Sequence, residues 1–160
     1  MRLASLLGLL VLSGTAWSAT LVGTEVPPYP DGLQEVGGVC VGDSIGLDHI
    51  CDYAINTVED AQGGQTLYAG KISRYDADGN PYWKVLDAMP YPSVTKEQTL
   101  AMTTCRKDGN ADTTIFAVAK ASEEEWYKTI EKAYKLDLTQ QKFIELDTSG
   151  IDCQNESWGL

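Results

Sequence analysis

The stretch Ser122-Glu123-Glu124-Glu125-Trp126-Tyr127-Lys128-Thr129-Ile130-Glu131-Lys132-Ala133-Tyr134 decides the fold class. Ser122 followed three residues later by Glu125 has the form of a capping box, in which each side chain satisfies the other's backbone N–H. Trp126, Ile130, Ala133 and Tyr134 recur at i, i+4, i+7 and i+8, which is one apolar stripe of a helix. Glutamates come first and Lys128, Lys132 and Lys135 later, as the helix dipole favours. Glu124 with Lys128 and Glu131 with Lys135 add i,i+4 pairs. The stretch therefore predicts a helix from Glu123 to about Tyr134.

Strand signals lie on both sides of it. Thr66 to Ile72 and Tyr82 to Leu86 flank Asp76-Ala77-Asp78-Gly79-Asn80-Pro81, whose Asp and Gly supply turn chemistry for a hairpin. Ala88 to Pro92 reads as a loop, with a cis bond possible at Tyr91-Pro92. Thr99 to Cys105 and Thr113 to Ala119 flank a second Asp-Gly turn at Asp108-Gly109, and the β-branched, aromatic run from Thr113 suits a buried central strand. Tyr134 to Leu138 and Lys142 to Leu146 flank a turn at Thr139-Gln140-Gln141. Ile50 to Val58 fits either a helix or a strand, and the spacing of Ile50, Ala54 and Val58 leans to helix. Together these predict an α+β fold: mostly antiparallel β-hairpins, one well-capped helix packed on the sheet, and two disulfides.

The first residues carry an export signal. Arg2 precedes an apolar stretch from Leu3 to Leu12, and small residues follow up to Ala19. Cleavage between Ser18 and Ala19 places Ala16 and Ser18 at the two positions where signal peptidase needs small side chains. The apolar run is about half of the roughly twenty residues that cross a bilayer, so no membrane anchor is expected after cleavage. The expected organisation is a signal peptide at 1–18, an extended Pro/Gly-rich arm at 19–38 (Pro27, Pro28, Pro30, Gly37, Gly38), and a single disulfide-linked globular domain at 39–160. A secreted or periplasmic location follows.

The chain holds 23 acidic against 12 basic residues, a net charge of −11. Such a balance repels nucleic acid and anionic lipid and is compatible with a cationic protein partner, while its plainest role is to keep an exported protein soluble. Cys40, Cys51, Cys105 and Cys153 are separated by 11, 54 and 48 residues, without the close C-x-x-C pairs of zinc or redox sites. In an oxidising compartment they read as disulfides. Three connectivities are possible. Cys40–Cys51 with Cys105–Cys153 is favoured, because the first closes a short loop through Gly42, Gly46 and Asp48 and the second ties the tail to a central strand.

Chemistry-bearing motifs are sparse. Asp76, Asp78 and Asn80 alternate like calcium ligands, but Gly79 comes too early and position 12 is Asp87, so a turn is the better reading. His49 is the only histidine, and no nucleophile motif accompanies it. Asn155-Glu156-Ser157 forms an N-glycosylation sequon, a pattern common by chance. The tryptophans could form a carbohydrate or partner surface; Trp83 and Trp126 read as core, and Trp158 has the least structural explanation. No catalytic residue, metal ligand or cofactor is nominated. The expected function is a non-enzymatic protein-binding module, of the kind that inhibits a cationic hydrolase. The alternatives are a small carboxylate-dependent hydrolase and a structural or accessory component of the cell envelope.

Overall fold

The computed structural model describes residues 20–42 and 51–160. The signal segment, the cleavage position and His49 lie outside them. Along the chain run β1 (Glu25–Val26), β2 (Leu33–Val41), β3 (Tyr53–Asp60), β4 (Gln65–Tyr75), β5 (Pro81–Pro90), β6 (Gln98–Met102) and β7 (Cys105–Lys107). Then come β8 (Asn110–Ala111), β9 (Ile115–Lys120), β10 (Trp126–Tyr127), β11 (Ile130–Asp137), β12 (Lys142–Leu146) and β13 (Ile151–Gln154). The described residues are all-β, with no helix. This corrects the α+β expectation and the lean to helix after Ile50.

Three antiparallel sheets form three layers. The first has the order β1-β5-β4-β3-β2, the second β12-β11-β9-β6, and the third β10-β13-β7-β8. Val41, Ile55, Leu67 and Ala69 of the first sheet meet Phe116 and Leu136 of the second in one core. On the second sheet's other face, Ile115, Ala117 and Ala133 meet Cys105, Ile151 and Cys153 of the third. A third cluster lies on the outer face of the first sheet, where Leu21 and Val26 cover Ala54, Val58, Tyr68, Trp83 and Val85. Strand β9 is apolar from Ile115 to Ala119 because both of its faces are covered there, and those five residues are all buried. Residues 19–38, the expected arm, contribute β1 and the first part of β2.

The helical spacing of Ile130 and Ala133 has a β explanation. Ile130 pairs with Ala119 and Lys132 with Val118, so Glu131 is an extra residue in a bulge. Two same-face residues flanking a bulge are three apart rather than two, which imitates the i, i+3 step of a helix. Ile130 and Ala133 indeed pack into the same cluster. Beyond the bulge, Tyr134, Leu136 and Leu138 alternate strictly onto the other core. The same device operates in β5, where Leu86 is the extra residue and Val85 and Ala88 share a face. The expected loop from Ala88 belongs to this strand as far as Pro90.

The Asp-Gly turns form as the sequence predicts. Asp108 and Gly109 both have positive φ (51° and 79°), matching the twist of a two-residue hairpin between β7 and β8. The stretch from Thr99 to Cys105 is divided. At Thr103 (φ 64°) the chain leaves the second sheet, and Cys105 begins a strand of the third. Cis peptides occur at Val26–Pro27 and Pro27–Pro28 among the described residues, not at Tyr91–Pro92.

Both favoured disulfides are present. Cys40–Cys51 spans a separation of 11 residues and Cys105–Cys153 one of 48. Cys105 and Cys153 are directly opposed across β7 and β13, and both are buried in the core. The bonds fit an oxidising extracellular or periplasmic location.

Candidate functional site

The run Ser122-Glu123-Glu124-Glu125, expected to cap a helix, is an exposed turn leading from β9 to β10. What holds it is Asn155, thirty residues later and almost fully buried. Its Nδ2 donates to the carbonyl oxygens of Ser122 (3.1 Å) and Glu124 (3.0 Å), and its backbone N–H donates to that of Glu125 (2.8 Å). Its Oδ1 accepts from the Tyr127 hydroxyl (2.7 Å) and the Ser157 N–H (3.0 Å). Each polar atom of this amide is therefore bonded. The Glu124 and Glu125 carbonyls face inward onto Asn155, and Glu123, Glu124 and Glu125 lie exposed on the surface. The sequon asparagine is thus a structural anchor whose amide is sequestered in the folded chain.

Beside the turn, the Arg106 guanidinium lies 3.6 Å from the centre of the Trp126 ring and bonds Asp152 through two nitrogens, at 2.5 and 2.8 Å. The hydrogen bond to Asp152 raises the Arg106 pKa, against an opposing effect of desolvation. Trp126, expected in a helical core stripe, is a half-buried platform for this cation. The acidic turn thus stands on a rigid base of one amide, one ion pair and one aromatic ring.

The carboxylates of Asp112 and Asp137 lie close together and are each tied into local hydrogen bonds. Asp112 and Asp137 share a depression with Gly42, Thr113, Thr114, Lys135, Leu138 and Thr139. Asp112 accepts from Lys135 Nζ (2.7 Å), Thr114 Oγ1 (2.5 Å) and the Thr114 N–H (3.0 Å). Burial raises its pKa, but Lys135 and Thr114 outweigh burial and hold it below the usual value. Asp137 is also held low, chiefly by the Gln140 N–H and despite some desolvation. Both carboxylates are therefore held in the ionised form. Asp76 is committed to its own turn: Oδ1 accepts from the N–H groups of Asp78 (2.9 Å) and Asn80 (2.8 Å), and Oδ2 from Asn80 Nδ2 (2.9 Å). Hydrogen bonds from Asn80 lower its pKa first. Among the described residues no group of three or more His, Cys, Asp or Glu could hold a metal ion.

A cleft of about 280 Å3 opens on the outer face of the first sheet. Small residues create it. Gly38, Asn56, Tyr68 and Ala88 form one row across the four strands, and Cys40, Ala54, Gly70 and Val85 the next. The Trp83 ring lies over Gly70, where a Cβ would come within 3.1 Å of it. The walls are Val39, Ala54, Tyr75, Pro81, Trp83 and the Cys40–Cys51 disulfide, with Glu35 and Asn56 as the polar residues that line it. The Glu35 carboxylate accepts from the Tyr29 hydroxyl, which also bonds the buried Tyr68 hydroxyl at 2.9 Å. Burial raises the pKa of both phenols, Glu35 and Tyr68 raise Tyr29 further, and contacts with Tyr29 and Asn56 only partly offset the rise at Tyr68. Both remain neutral.

Asn56 is 3% exposed. Its Nδ2 is shut off from solvent, and its side chain interacts with the Tyr68 hydroxyl, partly offsetting the rise in that phenol's pKa. Sequence reasoning passed over Glu35 and Asn56, since neither belongs to a local motif; pairing of β2 with β3 brings them to one cleft. No protein-family model, characterised protein or solved structure matches this chain.

Proposed function

We propose that this protein is an exported, non-enzymatic binding module whose acidic turn at 123–125 docks against a cationic protein surface. The cleft of a cationic hydrolase is the partner class it fits best. One observation carries the reading: Asn155 holds the turn through the carbonyls of Ser122, Glu124 and Glu125, while the residues from Ser122 to Glu125 stay exposed. A loop ordered in advance loses little entropy on docking. Three adjacent acids on a chain of net charge −11 steer a basic partner and speed association at low salt.

The test is titration of the purified, oxidised protein against basic hydrolases, lysozyme among them, with inhibition and association rate as readouts. The expected result is a complex whose association slows with added salt and slows further when all three glutamates are changed to glutamine. Absence of any complex, together with turnover on a hydrolase substrate panel, would replace this reading with the enzymatic one.

A further inference from the structure

Trp158, the tryptophan with the least structural explanation in the sequence, is placed by the residue that holds the acidic turn. Its backbone N–H donates to the Asn155 carbonyl at 3.1 Å, and the residue stands 54% exposed. Trp158 and Glu123 line one depression of about 380 Å3, together with Tyr127 and Asn155. We infer that Trp158 and Glu123 form a seat for an arginine side chain of the partner, the indole taking the flat face of the guanidinium and the carboxylate its charge. The inference rests on the docking reading above for its partner, and names the side chain that partner must present.

Charge narrows the occupant first. Glu123 is the one charged side chain lining the depression, and its carboxylate has no ion pair or hydrogen bond among the described residues. Its neighbours are less free: Glu124 Oε2 lies 4.0 Å from Lys128 Nζ, and the charge of Glu125 acts on Arg106. The Tyr127 hydroxyl and the Asn155 amide are bonded to each other and to the turn. An anion therefore meets repulsion here, and an apolar side chain would strip water from Glu123 without replacing it. A cation satisfies the carboxylate and is drawn to the face of the indole. The protein's own side chains then separate guanidinium from ammonium. Arg106 lies 3.6 Å over Trp126 while bonding Asp152, and Arg74 lies 3.4 Å over Tyr82 while bonding Glu25. Lys71 Nζ, by contrast, stays 5.7 Å from the centre of the Tyr53 ring. A planar, weakly hydrated guanidinium stacks on a ring and keeps its edge donors for a carboxylate, which a compact ammonium does less well. Trp158 and Glu123 offer the same ring and carboxylate, and among the described residues no cation lies over that ring.

The experiment is nitrogen-15 NMR titration of the oxidised protein with the N-acetyl amides of arginine, lysine and leucine. The signals followed are the Trp158 indole N–H and the backbone amides of residues 122–125 and 157–160. The arginine probe is expected to bind saturably and about threefold tighter than the lysine probe, with the leucine probe weakest. Trp158→Ala should weaken arginine about fivefold and Glu123→Gln about threefold, the latter more than Glu124→Gln does. Both residues are exposed, so these variants fold. Asp78→Asn, an equal loss of charge on a remote turn, should leave arginine binding unchanged. No saturable response to arginine, lysine or leucine binding as tightly, or arginine binding indifferent to Trp158→Ala would overturn the inference. A hydrolase complex insensitive to Trp158→Ala also overturns it while leaving the docking reading in place. Arginine binding that Trp158→Ala weakens, with no hydrolase complex formed, upholds the seat and removes the hydrolase reading alone.

Discussion

The side-chain oxygen of Asn155 accepts a hydrogen bond from the Tyr127 hydroxyl at 2.7 Å, joining the chain after β13 to β10 from within. The same amide carries the acidic turn, so one residue couples the C-terminal segment to the proposed docking surface. Asn155→Ala strands the Tyr127 hydroxyl and the carbonyls of Ser122 and Glu124 together. A loss of about 2–3 kcal/mol is expected, read by urea unfolding of the oxidised protein.

Ser122→Ala separates the two readings of the acidic run. A helix N-cap would lose about 1 kcal/mol. In the turn it is the Ser122 carbonyl that bonds Asn155, and the exposed hydroxyl contributes nothing comparable. The expected change is within about 0.5 kcal/mol. A far-UV circular dichroism spectrum dominated by strand would accompany it.

The two disulfides should differ in weight. On the loop-entropy account, separations of 11 and 48 residues correspond to roughly 3 and 4 kcal/mol respectively. Cys105 and Cys153 also sit in the core between the second and third sheets, so replacing both with alanine leaves a void as well. The paired Cys105/Cys153 variant is expected to melt lower than the paired Cys40/Cys51 variant by calorimetry.

Acid should remove a contribution centred on Asp112. Its folded-state pKa is depressed by Lys135 and Thr114 against the effect of burial. A depressed carboxyl stabilises the fold fully above its unfolded value, roughly 3.9, and loses that contribution as pH falls through the lower folded value. Asp112→Asn is expected to cost about 1 kcal/mol at neutral pH. The gap between variant and parent should then close as unfolding is measured at progressively lower pH below that point. A constant gap across the acid range would assign the effect to packing.

Much of the framework was legible along the chain. The Asp-Gly pairs set their turns through backbone conformations local to two residues. The run from Thr113 to Ala119 announced a strand covered on both faces, and cysteine number and spacing pointed to two bridges. These features need no knowledge of distant partners, because turn geometry and residue composition are properties of short segments. The candidate sites were not legible. Asn155 and the turn it holds are thirty residues apart, and Glu35 and Asn56 come to line one cleft only through the register of β2 with β3.

The fold class itself was decided by tertiary structure. From Ser122 to Tyr134 the chain carries a helix-like cap, charge gradient and stripe, yet an isolated helix of this length is marginal in water. Pairing of Ile130, Ala133 and Lys135 with β9, and of Trp126 and Tyr127 with β13, buries the same side chains and satisfies the backbone along two sheets. The bulge at Glu131 lets the strand absorb a three-residue spacing. Sequence periodicity alone registers that spacing as helical, because the extra residue becomes visible only when its partner strand is in place.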